Sequence, residues 1–299
     1  MRTSLASRSG IALLALSASA CDGCSRGSNA EEAAPKTNPD AAITNASPIP
    51  TASVAAAVNP RQLPAYEGPT GSVEGTVTVS GPPAPETPAK YRNCPDAEAT
   101  YGHAYREGEP KEPGGPRWIA DAIVAVTGYS NFFIPEKDES EALTIEGCAF
   151  SKRTVTMTFG QRLEVKNLSK DFWTPQLQPA GNGVMMMATP GGDAVKLYPK
   201  RPGRFLLFDH DRKYATADVF VFLHPLHATT NAVGHYRIDG VPVGKVKVNT
   251  THPQIDGSEA TVEVEIKPNI VHRVDLNLEY KPPPDAGAPL DAGRAPLVH

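Results

Sequence analysis

Residues 204–248 read RFLLFDHDRKYATADVFVFLHPLHATTNAVGHYRIDGVPVGKVKV and carry the most informative pattern in the chain. In the first half, apolar runs at 205–208 and 219–223 enclose a polar stretch, which predicts two strands joined by a loop. The second half contains short alternating stretches separated by residues that take positive φ at little cost, namely Asn231, Gly234, Gly240 and Gly244. This succession of short strands and turns predicts a β-rich fold.

Further apolar or alternating runs predict strands on both sides of this stretch. They lie at 71–80, 118–127, 143–145, 153–159, 162–166, 236–238, 245–249, 260–266 and 271–278. The polar, proline-rich residues 86–116 predict an irregular segment, and the sequence has no long amphipathic helical pattern. About ten short strands with frequent turn residues predict an all-β chain built from β-sandwiches.

Length and charge limit the function classes. With 299 residues, the chain is long enough for one or two domains once its polar ends are set aside. The formal net charge is -4, and the sequence contains no cluster of Lys and Arg. A protein that binds nucleic acid normally presents a basic face, so we expect no nucleic-acid partner.

The first 20 residues have the layout of a signal peptide. Arg2 and Arg8 precede an apolar stretch at 10–16, and small residues occupy 17–20. The apolar stretch is too short to span a bilayer as a helix. We therefore expect an exported protein, located in the periplasm or at the cell surface.

Cys21 directly follows these small residues, and this arrangement resembles a bacterial lipobox, although Ala18 stands where that motif usually has leucine. The resemblance implies that Cys21 becomes the lipid-modified N-terminus and anchors the protein to a membrane, with Cys24 as an additional thiol. The alternative is ordinary cleavage after Ala20, which leaves a soluble protein. Residues 21–65 and 281–299 are rich in Ala and Pro and poor in large apolar side chains, which predicts a disordered tether and a disordered tail.

Cys94 and Cys148 are the two cysteines of the predicted folded part. In an exported protein such cysteines form disulfides, so we expect them to pair. The alternative is two unpaired thiols.

Several segments resemble the carboxypeptidase regulatory-like (transthyretin-like) sandwich. They are GSVEGTV at 71–77, AIVAV at 122–126, TTNAVGHYRI at 229–238 and VPVGKVKV at 241–248. A stretch between the second and third of these is similar to a plastocyanin-like cupredoxin. Its matching segments are EGCAF at 146–150, GQRLEVKN at 160–167, VFV at 219–221 and the pair His224-Pro225.

Together these resemblances imply two β-sandwiches, with a cupredoxin-like Greek-key sandwich inserted into a transthyretin-like sandwich. The implied transthyretin-like part comprises 66–128 plus 226–280, and the implied cupredoxin-like part comprises 129–225. The related cupredoxins bind type-1 copper through two imidazoles, a thiolate and a weak thioether.

Counting along the cupredoxin-like motifs places the four copper-ligand positions at Trp173, Asp209, Arg212 and Ala215. None of these residues is a ligand of the kind required, and no cysteine follows Cys148. The resemblance therefore implies a cupredoxin-like domain that has lost its copper site, with no cofactor expected. Asp209 and Arg212 have opposite charges and can pair across the emptied loop.

Other donors suggest a weaker alternative, a periplasmic protein that handles copper or another metal. Its ligands would be His210 with His224 or His227, or the thioethers of Met185, Met186 and Met187. Imidazoles in a solvated turn and methionines that fill gaps in a core are the simpler interpretations. Phe172 and Trp173 form an aromatic pair near the emptied site, where they predict either a core plug or a contact surface.

The sequence contains no recognisable catalytic motif, such as G-x-S-x-G, H-E-x-x-H or a P-loop. We therefore expect no enzymatic activity. The favoured function is a lipid-anchored binding or scaffolding module for an unknown envelope protein or glycan. A hydrolase or a carbohydrate-active accessory domain is a third class, which would require a cleft with coupled titratable groups.

Overall fold

The computed structural model describes residues 47–87, 91, 94–110, 112–179 and 185–282. The predicted signal peptide, Cys21, Cys24 and nearly all of the predicted tail, from 283 onward, lie outside these residues. The described part is mostly β-structure, as predicted, with two short helices. Within it, no helix has the length and apolar character needed to cross a membrane.

The helices are α1 (Thr51–Val58) and α2 (Pro95–Tyr101). In chain order the strands are β1 (Thr70–Ser80), β2 (Arg117–Trp118), β3 (Ile123–Thr127), β4 (Ser140–Glu146), β5 (Ala149–Phe150), β6 (Thr154–Thr158), β7 (Arg162–Asn167), β8 (Pro175–Gln178), β9 (Val195–Leu197), β10 (Gly203–Asp209), β11 (Thr216–Phe222), β12 (His227–Thr229), β13 (His235–Pro242), β14 (Gly244–His252), β15 (Ile255–Ile266), β16 (Val271–Arg273) and β17 (Leu276–Glu279).

The strands form four sheets. Two of them use the middle of the chain, in the orders β6-β11-β10-β8 and β5-β4-β7-β9. The third has the order β12-β3-β14-β15, and the fourth is centred on β1, which pairs with β13, β16, β17 and β2. Strand β1 alternates between half-buried and buried residues, because successive side chains point to opposite faces of a strand.

Two hydrophobic cores lie among the described residues. The first, which we name the central core, takes buried side chains from every strand of the two middle sheets. The second, the flanking core, takes them from β1, β3, β13, β14, β15 and β17. Because β1 and β3 precede the middle strands and β13 to β17 follow them, the flanking core is assembled from both sides of the sequence that builds the central core.

A close approach at Gly75 divides the predicted strand 271–278 into β16 and β17. A Cβ atom at Gly75 would lie 1.9 Å from the carbonyl oxygen of Val274, so only glycine allows the two backbones to approach this closely. Asp275 turns its carboxylate back to β1 and accepts from the backbone N–H of Thr76 at 2.8 Å. The apolar pattern of 271–278 gives no sign of this break.

The predicted strand 118–127 is likewise interrupted, at Asp121. This residue is buried and has φ of 64°, between the ends of β2 and β3. Its carboxylate accepts hydrogen bonds from Nε and Nη2 of Arg106 at 2.7 and 2.9 Å and from the backbone N–H of Arg153 at 2.8 Å. These charge-assisted contacts outweigh the local preference of the apolar run for a continuous strand.

The end of the predicted tether is ordered, which corrects that prediction for 47–65. Helix α1 has the sequence TASVAAAV, and its alanines favour helix formation. Val54 and Val58, four residues apart, pack with Ala57 against the central core. Val54 lies directly over Gly160, where a Cβ atom would come within 2.7 Å of it.

The proline-rich segment 86–116, predicted to be irregular, contains helix α2. Its buried residues Ala97 and Tyr101 belong to the central core, together with Cys94 at the start of the helix. The predicted disulfide between Cys94 and Cys148 is confirmed, with the two Cα atoms 6.1 Å apart. It attaches α2 to the turn between β4 and β5.

Loss of this disulfide is expected to lower the free energy of unfolding by about 4 kcal/mol, because the bond closes a loop with a sequence separation of 54. Denaturant unfolding of the wild type should shift on addition of a reductant. The Cys94→Ala/Cys148→Ala variant should already show the lower stability and not respond to reductant. Equal stability of the oxidised wild type and this variant would contradict the expectation.

Candidate functional site

The four positions that the sequence resemblance assigns to copper ligands come together at one end of the central core. Asp209 ends β10, Arg212 and Ala215 lie in the loop before β11, and Trp173 precedes β8. The loop is held by backbone bonds: the N–H of Asp209 donates to Ala215 O at 3.1 Å, and that of Ala215 donates to Arg212 O at 2.8 Å. We call these four residues the closed end.

The centre of the closed end is the carboxylate of Asp209, which is fully buried. One oxygen accepts the backbone N–H of Thr174 at 2.7 Å, and the other accepts those of Arg212 at 2.8 Å and Asp211 at 3.1 Å. The guanidinium of Arg212 lies 3.6 Å from Asp209 Oδ1, so the predicted pairing of these side chains is present. A buried carboxylate needs such a set of donors, since an uncompensated buried charge is very unfavourable.

Arg212 also covers Trp173. The guanidinium carbon lies 4.4 Å from the indole centroid, within the range of a cation–π interaction. Nη1 of Arg212 donates to Phe172 O at 3.0 Å, and Nη2 lies 3.3 Å from a carboxylate oxygen of Asp171. Positive charge therefore lies over the ring where the resemblance would put a copper-binding imidazole.

Trp173 is a core residue. Its side chain is fully buried, its Nε1 donates to Ser169 Oγ at 3.0 Å, and its ring lies 5.6 Å from that of Phe150. The prediction of a contact surface therefore fails for Trp173, because a fully buried ring offers nothing to a partner. The alternative prediction, a core plug, describes it.

Phe172, in contrast, is exposed. Trp173 and Ala188 form an antiparallel bridge with both side chains buried, so Phe172 and Met187, which lie next to them, point outward. Leu168, Phe172, Met185 and Met187 are each between 55 and 60% exposed, and we call them the apolar rim. Met186 packs against the central core, so the three methionines do not present their sulfurs as one ligand set.

The structure does not bring His210 together with His224 or His227, as the predicted alternative metal site would require. His210 is exposed in the loop before β11, whereas His224 and His227 follow the other end of this strand. The seven residues of β11 span roughly 20 Å, which is too far for one ion. Within the described ranges, no group of three or more His, Cys, Asp or Glu side chains is arranged to hold a metal.

A polar cavity of about 90 Å³ lies between the β6-β11-β10-β8 sheet and the side chains of Asp121 and His252, a feature that the sequence analysis missed. The carboxylate of Asp218 accepts hydrogen bonds from Nε of Arg204 at 2.7 Å and from Nε2 of Gln254 at 3.2 Å. The second of these bonds joins β11 to the turn after β14. We name this region the polar seam. Asp121, an aspartate within the apolar run WIADAIVAV, is the sequence feature from which this region could have been predicted.

His252 in the polar seam is held neutral by its surroundings. Its Nδ1 accepts the backbone N–H of Gln254 at 3.1 Å, so Nε2 carries the proton that faces Ala120 O at 3.2 Å. Burial lowers the pKa of His252 to about 4. Protonation of Nδ1 would also break its hydrogen bond with the N–H of Gln254, which further favours the neutral ring.

Comparisons with known proteins identify only partial structural similarity. No family model and no curated protein matches the chain. Amicyanin from Paracoccus versutus is 16% identical over a match that covers 29% of this chain and 84% of that chain, with a TM-score of 0.26. A reduced amicyanin variant is 13% identical and covers 33% of this chain and 97% of that chain, also with a TM-score of 0.26. Similarity at this level says nothing about the function of this chain.

The Arg212→Met substitution is expected to lower the free energy of unfolding by about 1 to 3 kcal/mol. Methionine keeps much of the packing on Trp173 but leaves the buried Asp209 without its positive partner. Denaturant unfolding measures the change. The matched control is Arg201→Met, because Arg201 is exposed and also lies over a ring, that of Phe205, at 5.2 Å. We expect this control to change stability by less than about 0.5 kcal/mol; equal losses would contradict a special role for Arg212.

His252 is expected to make stability depend on pH. Its folded pKa of about 4 lies below the unfolded value, so its contribution is fully present above about pH 6.5 and is lost as the pH falls toward 4. The loss should reach about 3 kcal/mol over this interval. Unfolding at several pH values should show a flatter profile for His252→Gln than for the wild type, whereas substitution of the exposed His235 should leave the profile unchanged. Parallel profiles for all three proteins would contradict the expectation.

Proposed function

We propose that this chain is an exported, membrane-anchored binding or scaffolding protein without catalytic activity. The observation that carries the proposal is the closed end: Arg212, Asp209 and Trp173 fill the position where a related cupredoxin would hold copper. The buried carboxylate accepts three backbone N–H groups and has the guanidinium of Arg212 3.6 Å away, so neither side chain is available to a copper ion. Electron transfer through a type-1 copper ion is therefore not part of the proposed function.

The proposed architecture is a transthyretin-like sandwich that accepts a cupredoxin-like sandwich as an insertion. Support comes from the two cores, since the flanking core uses residues from before and after those of most of the central core. The proposed boundaries are 66–128 plus 226–280 and 129–225. Cys94, Ala97 and Tyr101 are an addition to the second of these parts, because they pack into the central core.

The proposed contact surface is the apolar rim with Phe172 at its centre. Four large apolar side chains, each more than half exposed, lie within five residues of the bridge between Trp173 and Ala188. Exposed apolar groups of this kind often mark a binding surface, and methionines adapt their shape to a partner. The partner class that fits an exported protein is an envelope protein or a glycan.

A photo-crosslinking amino acid in place of Phe172 tests this surface in intact cells. We expect a discrete crosslinked species from this position and a weak or absent product from Val262, which is exposed on β15. A second substitution, Met187→Ser, should reduce crosslinking from position 172 without changing the far-UV circular dichroism. Equal products from both positions, or none from position 172, would contradict the assignment.

The membrane anchor is tested at Cys21. We expect the wild type to sediment with membranes and to incorporate labelled fatty acid, because two or more acyl chains anchor a protein stably. The Cys21→Ser variant should be released in soluble form, whereas Cys24→Ser should remain bound. Membrane association that does not change in Cys21→Ser would contradict the anchor.

A further inference from the structure

His224 and His227 lie close together in the connection between β11 and β12. Their ring centroids are 6.3 Å apart, and the ring planes are inclined by 56°. Phe222 stacks on His227 with centroids 4.8 Å apart, and Tyr129 meets His224 edge-on at 6.2 Å. Aromatic packing therefore holds both imidazoles in place, at the opposite end of β11 from the closed end.

A hydrogen-bonded chain determines which nitrogen of His227 carries the proton. Thr158 Oγ1 lies 2.5 Å from Glu136 Oε2 and 3.2 Å from His227 Nε2. A carboxylate only accepts hydrogen bonds, so the single hydroxyl proton of Thr158 points to Glu136. The hydroxyl oxygen then accepts from Nε2–H of His227, and Nδ1 of this ring carries a free lone pair.

Both Nδ1 atoms are buried and have no hydrogen-bond partner in the part of the chain that the structure describes. An unprotonated imidazole nitrogen of this kind is the atom through which histidine binds metal ions. A buried acceptor without a partner is costly, so a ligand that uses it gains affinity.

We infer that His224 and His227 together bind a transition-metal ion through their Nδ1 atoms, with water completing the coordination. Metal–nitrogen bonds of 2.0–2.1 Å place the centroids of two imidazoles about 4.5 Å apart when the ligands are at right angles and about 6.5 Å apart when they lie on opposite sides of the ion. The observed separation of 6.3 Å fits two imidazoles on nearly opposite sides of one ion. Cu(II) should bind more tightly than Zn(II), and Mg(II) should not compete, because imidazole favours the late first-row metals.

The surroundings provide an orienting partner for His227 and an acidic cleft beside it. The Glu136–Thr158–His227 chain is the kind of outer contact that fixes the tautomer of a metal-binding histidine. His227 also lines an open cleft of about 290 Å³, together with Glu136, Asp138 and Glu141. Lys152 pairs with Glu141, so the cleft keeps an excess of acidic groups, which attract cations.

Titration of the full chain, in a Cys24→Ser background that removes a competing thiol, tests this site with Cu(II) and Zn(II) as probes. We expect one equivalent to bind, with nitrogen hyperfine splitting in the Cu(II) electron paramagnetic resonance spectrum. Separate His224→Gln and His227→Gln substitutions should each weaken binding at least 10-fold. The matched control His210→Gln, at the exposed loop before β11, should change nothing. No saturable binding, or equal affinity in all variants, would overturn the inference.

A second measurement does not require the ligand variants to fold. Nitrogen-15 chemical shifts of the wild type should show His227 as the Nε2–H tautomer, and Cu(II) should broaden the ring signals of His224 and His227 before those of other histidines. Thr158→Val, which removes the orienting hydroxyl, should weaken Cu(II) binding by about 10- to 100-fold. A proton on Nδ1 of His227, or broadening that begins at other histidines, would overturn the inference.

Discussion

The buried carboxylate of Asp209 is the constraint on which one end of the central core depends. A charge removed from water needs several donors, and here three backbone N–H groups and Arg212 supply them. The loop between β10 and β11 must therefore follow a path that turns the amides of Asp211 and Arg212 toward this carboxylate. Arg212 in turn is placed over Trp173, and the indole fills the remaining space beneath it. A site for an ion and a well-packed, charge-balanced end cannot occupy the same volume.

A second buried carboxylate, that of Asp121, has a comparable role between the two cores. It interrupts an apolar run, takes a positive φ and binds the guanidinium of Arg106 and the backbone of Arg153. Asp218 and Gln254 add a further contact across the polar seam. Strand β11 therefore touches three features: the closed end before it, the polar seam along it and the histidine pair after it.

The elements that were predictable from the sequence depend on local patterns or on few possible pairings. Strand β1 follows from its alternation, and the disulfide follows from two cysteines in the folded part. The breaks at Asp121 and between β16 and β17 were not predictable, because they depend on Arg106 and on the close approach of Val274 to Gly75 of β1, partners that no local pattern reveals. Helix α1 was missed because a segment rich in alanine is ordered here only by packing over Gly160 and the central core. At the closed end, the sequence predicted the Asp209–Arg212 pair but not that Phe172 and Trp173 point in opposite directions.

A double-mutant cycle on Asp209 and Arg212 tests most directly whether the closed end is held by the mutual satisfaction of these side chains. The free energy of unfolding would be measured for the wild type, Asp209→Asn, Arg212→Met and the double variant. We expect a coupling energy of about 1 kcal/mol or more, because either single change leaves a buried group without its partner. Losses that add to within about 0.3–0.5 kcal/mol would mean that the two side chains act independently, and would contradict a closed end built on this pair.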